Sequence, residues 1–330
     1  MSKNSKSEKR LASHILNKQQ KISERVAQIY NLSLSEAEEL INTKSMQAVR
    51  ASVKFKSDFD YESALKKLGV ELEKIEWMPI PAWWVKSGQA ELNKSNFIEA
   101  GELYVQNAAS FLPILELDLN PEDRVLDLCA APGGKSDLIL SLGVKPGNLH
   151  LNDNSRVRFF KMKKRFDNLN LTDINYSIYN LKNITRHKKD YASLFDKILL
   201  DAPCSNEASI KLNLPKTLKH WSEAHIKRLR DIQRAGILTA ANFLKPGGTI
   251  VYSTCTFAPE ENEGVIQYFL KKHPEFELQE LKFRNLDEYT GGITSWRQKP
   301  LNAHGDVTKT ARIKPSAKMH GFFVAKIKRC

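Results

Sequence analysis

Short apolar runs, each closed by a polar or reactive residue, recur along the last two thirds of this chain. From residue 101 onward they read RVLDLCA (124–130), NLHLND (148–153), INYSIYN (174–180), FDKILLDAP (195–203) and GTIVYSTC (248–255). Between them lie SDLILSLG, SRVRFFKMKKRFDNL, SEAHIKRLRDIQRAGILTAANFL and PEENEGVIQYFLKKH, which carry apolar residues at helical spacing. Nearly continuous apolar strands alternating with amphipathic helices predict an α/β fold with a doubly wound, mostly parallel sheet covered on both faces. In such sheets ligands bind beyond the carboxyl ends of the strands. Each run ends there in chemistry: Cys129 and Ala130, Asp153, Asn180, Asp201 to Cys204, and Cys255.

The first hundred residues have a different texture. Residues 1–47 read as a polar helical segment, with Ser33 or Ser35 as an N-cap before acids in the first turn. Residues 48–56 alternate, setting Val49, Ala51, Val53 and Phe55 against Arg50, Lys54 and Lys56. That spacing predicts a half-exposed strand with a positive outer face. Residues 61–77 then read as a helix running into a second strand. The expected organisation is a helical segment (1–47), a small α/β module (48–100) whose basic face suits RNA, and a large α/β domain (101–330).

Composition adds a partner class. Lysine and arginine number 51 against 38 acids, a formal net charge of +13, and such a surplus points to a polyanion, most simply nucleic acid. No run reaches the length needed to span a bilayer. The first twenty residues lack the apolar core of a secretory signal, and they are Lys-rich with Glu8 present, unlike a transit peptide. A cytoplasmic monomer with no membrane partner is expected. Four scattered cysteines suit a reducing compartment. The lack of Cys-x-x-Cys or a Cys/His quartet predicts no metal site.

The loop CAAPGGKS (129–136) is one residue away from a phosphate-binding Gly-x-x-x-x-Gly-Lys-Ser pattern. Cys129 stands where the first glycine belongs and does not freely take positive φ, and Pro132 removes an amide from the cradle. Gly133 and Gly134 still let a ligand lie close to the backbone. About twenty residues on, Asp153 ends the second strand, where an acid holds a ribose diol in Rossmann-like sheets. The alternative is that Asp153, or Ser155, merely caps the next helix. A ribose acid without a phosphate nest suits a nucleoside cofactor such as S-adenosylmethionine.

Strands four and five of the expected sheet are neighbours, ~4.8 Å apart. Their ends bring Cys204 and Cys255 to one place beside Asp201. Free cysteine is commonly a small core residue. Yet Cys204 follows Pro203 past the strand, and Cys255 is flanked by Ser253, Thr254 and Thr256, which are positions at the mouth of a sheet. A reaction that uses two thiols, an acid and a methyl donor is methylation at carbon 5 of cytosine. That carbon is too weak a nucleophile until a thiolate adds to carbon 6, and the base must be unstacked to admit it.

With these residues in view, residues 101–330 resemble the Sun/Fmu (RsmB-like) family of RNA cytosine-5 methyltransferases. The resemblance rests on GELYVQNAASFLPILELDLNPEDRVLDLCAAPGGKS, NDNSRVRFFKMKKR, FDKILLDAPCS, FLKPGGTIVYSTCTFAPEENEGVI and the closing HGFFVAKIK. It implies a Rossmann-like S-adenosylmethionine-dependent core, preceded by a small RNA-recognition-like module. It implies Cys255 as nucleophile, Cys204 as the thiol that promotes product release, Asp201 as the contact to the target base that also lies near the cofactor, and Asn180 as an acceptor for the cofactor's adenine amino group. It further implies that Cys129, Ala130, Ala131, Pro132, Gly133, Gly134 and Lys135 hold the cofactor, with Asp153 on its ribose and Arg158 in support. Lys135 would lie near both cofactor and substrate. Two departures stand out. Asn180 replaces the family's usual Asp, and Asn206, Glu207 and Ala208 replace a Gly-x-Gly after DAPCS. The RNA, ribosomal or transfer, is left open.

Two other readings compete. A non-catalytic RNA-binding or ribosome-assembly factor on the same fold is opposed by the intact Cys204, Cys255 and Asp201. A P-loop nucleotide hydrolase is opposed by Cys129 and Pro132. Elsewhere, Trp83 and Trp84 are expected to pack between module and core. Phe159, Met162, Phe166 and Leu169 should form the buried stripe of a basic helix. The Gly-, Pro- and Lys-rich segment 291–318 reads as a mobile basic loop able to close over RNA.

Overall fold

A computed structural model describes residues 3–330, with side chains described from residue 13 onward. The first two residues of the expected helical segment therefore lie outside the described residues. Helices α1 (Lys3–Tyr30) and α2 (Leu34–Asn42) open the chain. Of the two candidate caps Ser33 serves: its hydroxyl accepts from Glu36 N, and the Glu36 carboxylate accepts from Ser33 N at 2.8 Å. This reciprocal box satisfies two backbone donors at once. Ile22, Val26, Ala37 and Ile41 pack with Ile210, Leu212, Trp221, Phe257 and Trp296. The two helices thus support the loops that follow the fourth and fifth parallel strands.

The module comprises β1 (Ala48–Ala51), α3 (Tyr61–Lys67), β2 (Glu71–Lys74), β3 (Ala82–Ser87), α4 (Gln89–Asn93), α5 (Asn96–Glu99) and β4 (Leu103–Gln106). Its four strands form an antiparallel sheet in the order β2-β3-β1-β4. The sheet takes in residues 103–106, beyond residue 100 where the sequence reading ends the module. The expected strand over 48–56 stops at Ala51, and its positive outer face is not observed at Arg50, which is fully buried. The reason lies in the core: Arg50 Nη1 donates to Asp137 Oδ1 at 2.7 Å and Nη2 to the Gly134 carbonyl at 2.6 Å. Ser52 Oγ and Arg165 Nη2, each at 2.8 Å, complete the surroundings of Asp137. Trp84 joins the main core cluster. Trp83 packs within the module, where its Nε1 donates to Glu62.

The large domain follows as α6 (Leu112–Leu115), β5 (Val125–Asp127), α7 (Gly134–Ser141), β6 (Leu149–Asn152), α8 (Arg156–Asn168), β7 (Asn175–Ser177), α9 (Ile184–His187), β8 (Phe195–Asp201), α10 (Glu223–Phe243), β9 (Leu244–Thr254) and α11 (Glu263–Lys272). Then come β10 (Phe276–Gln279), β11 (Tyr289–Gly291), a small hairpin of β12 (Ser295–Trp296) and β13 (Lys299–Pro300), β14 (Ala311–Ile313) and β15 (Phe322–Arg329). The main sheet runs β11-β14-β15-β9-β8-β5-β6-β7, with β10 also on β15. Strands β5 to β9 pair in parallel and the others antiparallel. This is the expected doubly wound, mostly parallel sheet. Alternate residues feed two cores: Leu126, Ile198, Leu200 and Ile250 on one face, Val125, Leu149, Leu199 and Val251 on the other. The chain moves outward from β5 to β7 and returns to β8 on the far side, so the crevice beyond β5 and β8 is the topological switch point.

The expected buried stripe of α8 is present. Segment 291–318, expected to be mobile, is instead tied down. Trp296 and Leu301 pack under α1, and Arg312 is fully buried in an ion pair with Glu263 at 2.6 Å. The residues that hold the segment, Glu263 on α11 and the apolar face of α1, lie far from it in sequence, which is why composition suggested a loop.

Removing one partner of a buried pair leaves the other charge uncompensated. Arg50→Ala is expected to lower the unfolding free energy by about 3–5 kcal/mol in chemical denaturation. Lys54→Ala, on the exposed continuation of the same segment, should change it by less than about 0.5 kcal/mol.

Candidate active site

Strand β5 ends at Asp127, and the loop from Cys129 turns into α7 at Gly133, whose φ is 102°. A Cβ at Gly133 would meet Met162 and Phe166, and one at Gly134 would sit 2.8 Å from Tyr104. The positive φ demands glycine at Gly133, and the ring of Tyr104 leaves no room for a Cβ at Gly134. The loop's amides are also engaged. Cys129 N donates to Asp127, Ala130 N to the Asn152 carbonyl, Ala131 N to Asp153 Oδ2 and Gly133 N to the Ala130 carbonyl. Pro132 has no N–H to offer. A phosphate nest needs free, converging amides, and from Cys129 to Gly133 the loop has none to spare.

Asp153 is buried and does more than one thing. Its Oδ2 holds the loop through Ala131 N at 3.1 Å, and its Oδ1 accepts from Ser155 N at 2.8 Å, just before α8. The helix-supporting role is thus real, while Ser155 makes no side-chain cap. Asp153 also lines a cavity of about 360 Å³ together with Cys129, Arg158, Asn180, Asp201, Cys204, Asn206 and Cys255. Arg158 reaches the Ala131 carbonyl and lies 4.0 Å from Asp153. Asn180 accepts from Lys182 N through its side-chain oxygen. An adjoining cavity of about 290 Å³ is lined by Ala130, Ala131, Pro132, Gly134, Lys135 and, from the module side, Tyr104 and Gln106. Cys129 and Asp201 border both. Gly133 borders neither.

Where β8 and β9 end side by side, Asp201 stands opposite Ser253. Ser253 Oγ donates to Asp201 Oδ1 at 2.8 Å, and Lys135 Nζ to Oδ2 at 2.7 Å. Burial pulls the Lys135 pKa down, but Asp201 outweighs it and holds the ammonium above its usual value. Cys204 and Cys255 meet, Sγ to Sγ, at 3.3 Å. Sharing a hydrogen bond with Cys255, together with burial, pushes the Cys204 thiol well above its ordinary range. Cys204 is thus built to keep its proton. Burial likewise raises the Cys129 thiol, which makes it a poor nucleophile.

Sequence reasoning missed the polar layer beneath these loops. Asp127, fully buried with a carboxyl pushed up to about 7, accepts from Ser136 Oγ at 2.8 Å. Asn152 ties three strand ends together, donating to the Leu128 and Tyr179 carbonyls and accepting from Ser177 Oγ and Tyr179 N. Four consecutive residues at the start of α11 go to different partners. Glu260 pairs with Arg25 of α1; Glu261 accepts from Ser205 N and Gln233 Nε2; Asn262 accepts from Thr254 Oγ1; Glu263 pairs with Arg312. Glu207 accepts from Trp221 Nε1 and Thr256 Oγ1. Among the described residues no group of three metal-binding side chains converges, and no described helix is long and apolar enough to cross a membrane.

Residues 114–328 match the family model described as 16S rRNA methyltransferase RsmB/F. The chain belongs to this family. Its relatives include the tRNA (cytosine(49)-C(5))-methyltransferase of Pyrococcus abyssi, 32% identical over 81% of this chain and 83% of that protein. The 25S rRNA (cytosine-C(5))-methyltransferase nop2 of Schizosaccharomyces pombe is 32% identical over 90% of this chain and 49% of that protein. The chain spans about half the length of several curated relatives it matches. A solved methyltransferase homologue from Pyrococcus horikoshii superposes with a TM-score of 0.73 at 25% identity, covering 94% of this chain and 99% of that one. NSun6 from the same organism shares the fold, with a TM-score of 0.76 at 20% identity over 93% and 97% of the two chains. The fold is that of the S-adenosylmethionine-dependent methyltransferases.

Glu261 supplies a test of the RsmB/F site's electrostatics. Burial pushes its carboxyl up to about 8, against ordinary values near 4.5. A carboxyl raised on folding binds its proton more tightly in the native state. Its contribution to stability is therefore complete at low pH and lost as pH rises toward the folded pKa. Glu261→Gln, which keeps the shape and the hydrogen bonds to Ser205 and Gln233, should gain in Tm relative to the parent as pH rises from 6 to 9. A difference in Tm that stays flat across that range would contradict the assignment.

Proposed function

We propose that this RsmB/F-family protein methylates carbon 5 of a cytosine in structured RNA, ribosomal or transfer, using S-adenosylmethionine. The observation that carries the reading is the 3.3 Å meeting of Cys204 and Cys255 at adjacent strand ends. They share one cavity with Asp201 and Asp153. Its chemistry suits the cofactor. Apolar Leu128, Leu181 and Ile232 line it beside the Asp153 carboxylate and the Asn180 amide, a combination fit for a nucleoside. The engaged amides of Cys129, Ala130, Ala131 and Gly133 disfavour a nucleotide triphosphate. When bound there, the cofactor supplies an electrophilic methyl group.

The side chains then divide the work. Asp201, fixed by Lys135 and Ser253, holds the N3 edge of an unstacked cytosine. Cys255 adds through sulfur to carbon 6, its proton passing to N3, and leaves carbon 5 electron-rich enough to accept the methyl group. Cys204, still protonated, gives its proton to the departing Cys255 sulfur as the carbon 6–sulfur bond breaks. As a thiolate it takes the hydrogen leaving carbon 5. The N3 proton departs to solvent, one per turnover, matching the positive charge lost by the methyl donor. Relatives named as rRNA and tRNA cytosine-C(5) methyltransferases support this reading, as does the net charge of +13.

The test is to disable release. Cys204→Ala incubated with cellular RNA and S-adenosylmethionine should give a denaturation-resistant band of protein bound to RNA. Sequencing the trapped RNA identifies the substrate, and Cys204→Ala/Cys255→Ala should show no band. A band that persists in the double variant would remove Cys255 from the nucleophile's role. A folded, cofactor-binding Cys204→Ala protein that traps nothing would remove Cys204 from the release role.

A further inference from the structure

Asn206 holds an unusual position two residues beyond Cys204. Its φ is 55°, a left-handed conformation that glycine takes without cost and asparagine tolerates. The turn alone would be served at least as well by glycine, so the side chain calls for its own explanation. Asn206 Oδ1 lies 3.1 Å from Cys255 Sγ, and Ser209 Oγ anchors the same oxygen at 2.8 Å. Asn206 is exposed and borders the 360 Å³ cavity with both cysteines. The Cys255 sulfur is therefore held between two side chains, the Cys204 thiol on one side and an anchored amide on the other.

We propose that Asn206 is a positioning residue for Cys255, one that serves both protonation states of the sulfur. With the thiol protonated, Oδ1 accepts its hydrogen. Once the proton is gone, a half-turn of the amide presents Nδ2–H to the thiolate. The anchor survives that turn because Ser209 Oγ accepts as readily as it donates. A donor facing the sulfur favours the charged, nucleophilic form. The other groups that bear on Cys255 are Cys204 at 3.3 Å, the Lys135–Asp201 pair, and Glu207 and Glu261 beneath the loops. None of these is altered by a change at Asn206. The proposal rests on Cys255 being the nucleophile, but its test does not depend on methyl transfer.

The experiment follows alkylation of Cys255 by iodoacetamide across pH, with the modified peptide resolved from Cys204 by mass spectrometry. Asn206→Gly keeps the backbone conformation and deletes the amide. Its midpoint should move up by about one pH unit, the size of one hydrogen bond to a charged group. Asn206→Asp sets a carboxylate against the sulfur and should move it up further. In steady state Asn206→Gly should lower kcat about tenfold with the KM for RNA unchanged. An unchanged Cys255 profile in Asn206→Gly would show that the residue serves the turn alone and would overturn the proposal. Should the Asp variant fail to fold, the Gly variant decides by itself. An inactive parent whose Cys255 profile still shifts in Asn206→Gly would refute the proposed function while leaving this contact standing.

Discussion

The ion pair between Arg50 and Asp137 is the constraint on which the site depends. Both side chains are fully excluded from solvent, and they join the small module to the first helix of the large domain. An isolated buried charge would be prohibitive, and a buried pair is tolerated when most of its remaining hydrogen-bonding capacity is met. Here Ser52 and Arg165 complete Asp137, while the Gly134 and Ala51 carbonyls take two further bonds from Arg50, whose Nε alone has no partner. Arg50 and Arg165 both stack on Tyr104, at 4.9 and 4.4 Å from the ring centre. Tyr104 in turn fills the space beside Gly134. The loop that carries Lys135 is therefore held from outside by the module, so module and core form one wall of the second cavity rather than two tethered bodies.

From that wall the electrostatics of the site follow. Lys135 emerges one residue past Gly134 and fixes Asp201 as the acid with a cationic partner. Asp127 and Glu261 have only neutral donors at hydrogen-bond distance, and burial lifts both toward or beyond neutrality. The arrangement places an ion pair, Lys135–Asp201, at the strand ends, while burial favours the protonated form of Asp127 and Glu261. Protonating these acids matters for a thiol pair, because a nearby anion would oppose formation of a thiolate. Burial and the contact between the two sulfurs raise the Cys204 pKa and favour its protonated form.

How much of this was legible depended on how local the signal was. The parallel sheet was readable because each strand is a dense apolar run that ends abruptly in a reactive residue. The meeting of Cys204 and Cys255 followed from strand adjacency alone. Arg50 was misread because its alternation with Val49 and Ala51 looks like a solvated strand, whereas its partner lies 87 residues away. The packing of Met162, Phe166 and Tyr104 against the glycines of the first loop was not legible, since these side chains come from other elements. The acids of PEENEG looked like an ordinary helix start. Each answers a different distant partner, and nothing in the local pattern separates Glu261 from Glu260. Segment 291–318 was taken for a loop because the partners of Trp296 and Arg312 stand on α1 and α11.

The central claim is that Cys255, and not its neighbour 3.3 Å away, bonds to the pyrimidine. Its most direct test uses the unaltered protein and RNA in which cytidine is replaced by 5-fluorocytidine. A carbon 5 bearing fluorine has no hydrogen to lose, so the covalent species cannot resolve. After digestion, mass spectrometry should find a methylated fluoropyrimidine nucleotide on the peptide that contains Cys255 and an unmodified Cys204 peptide. The nucleotide on Cys204, or no adduct from protein that binds both RNA and cofactor, would contradict the account.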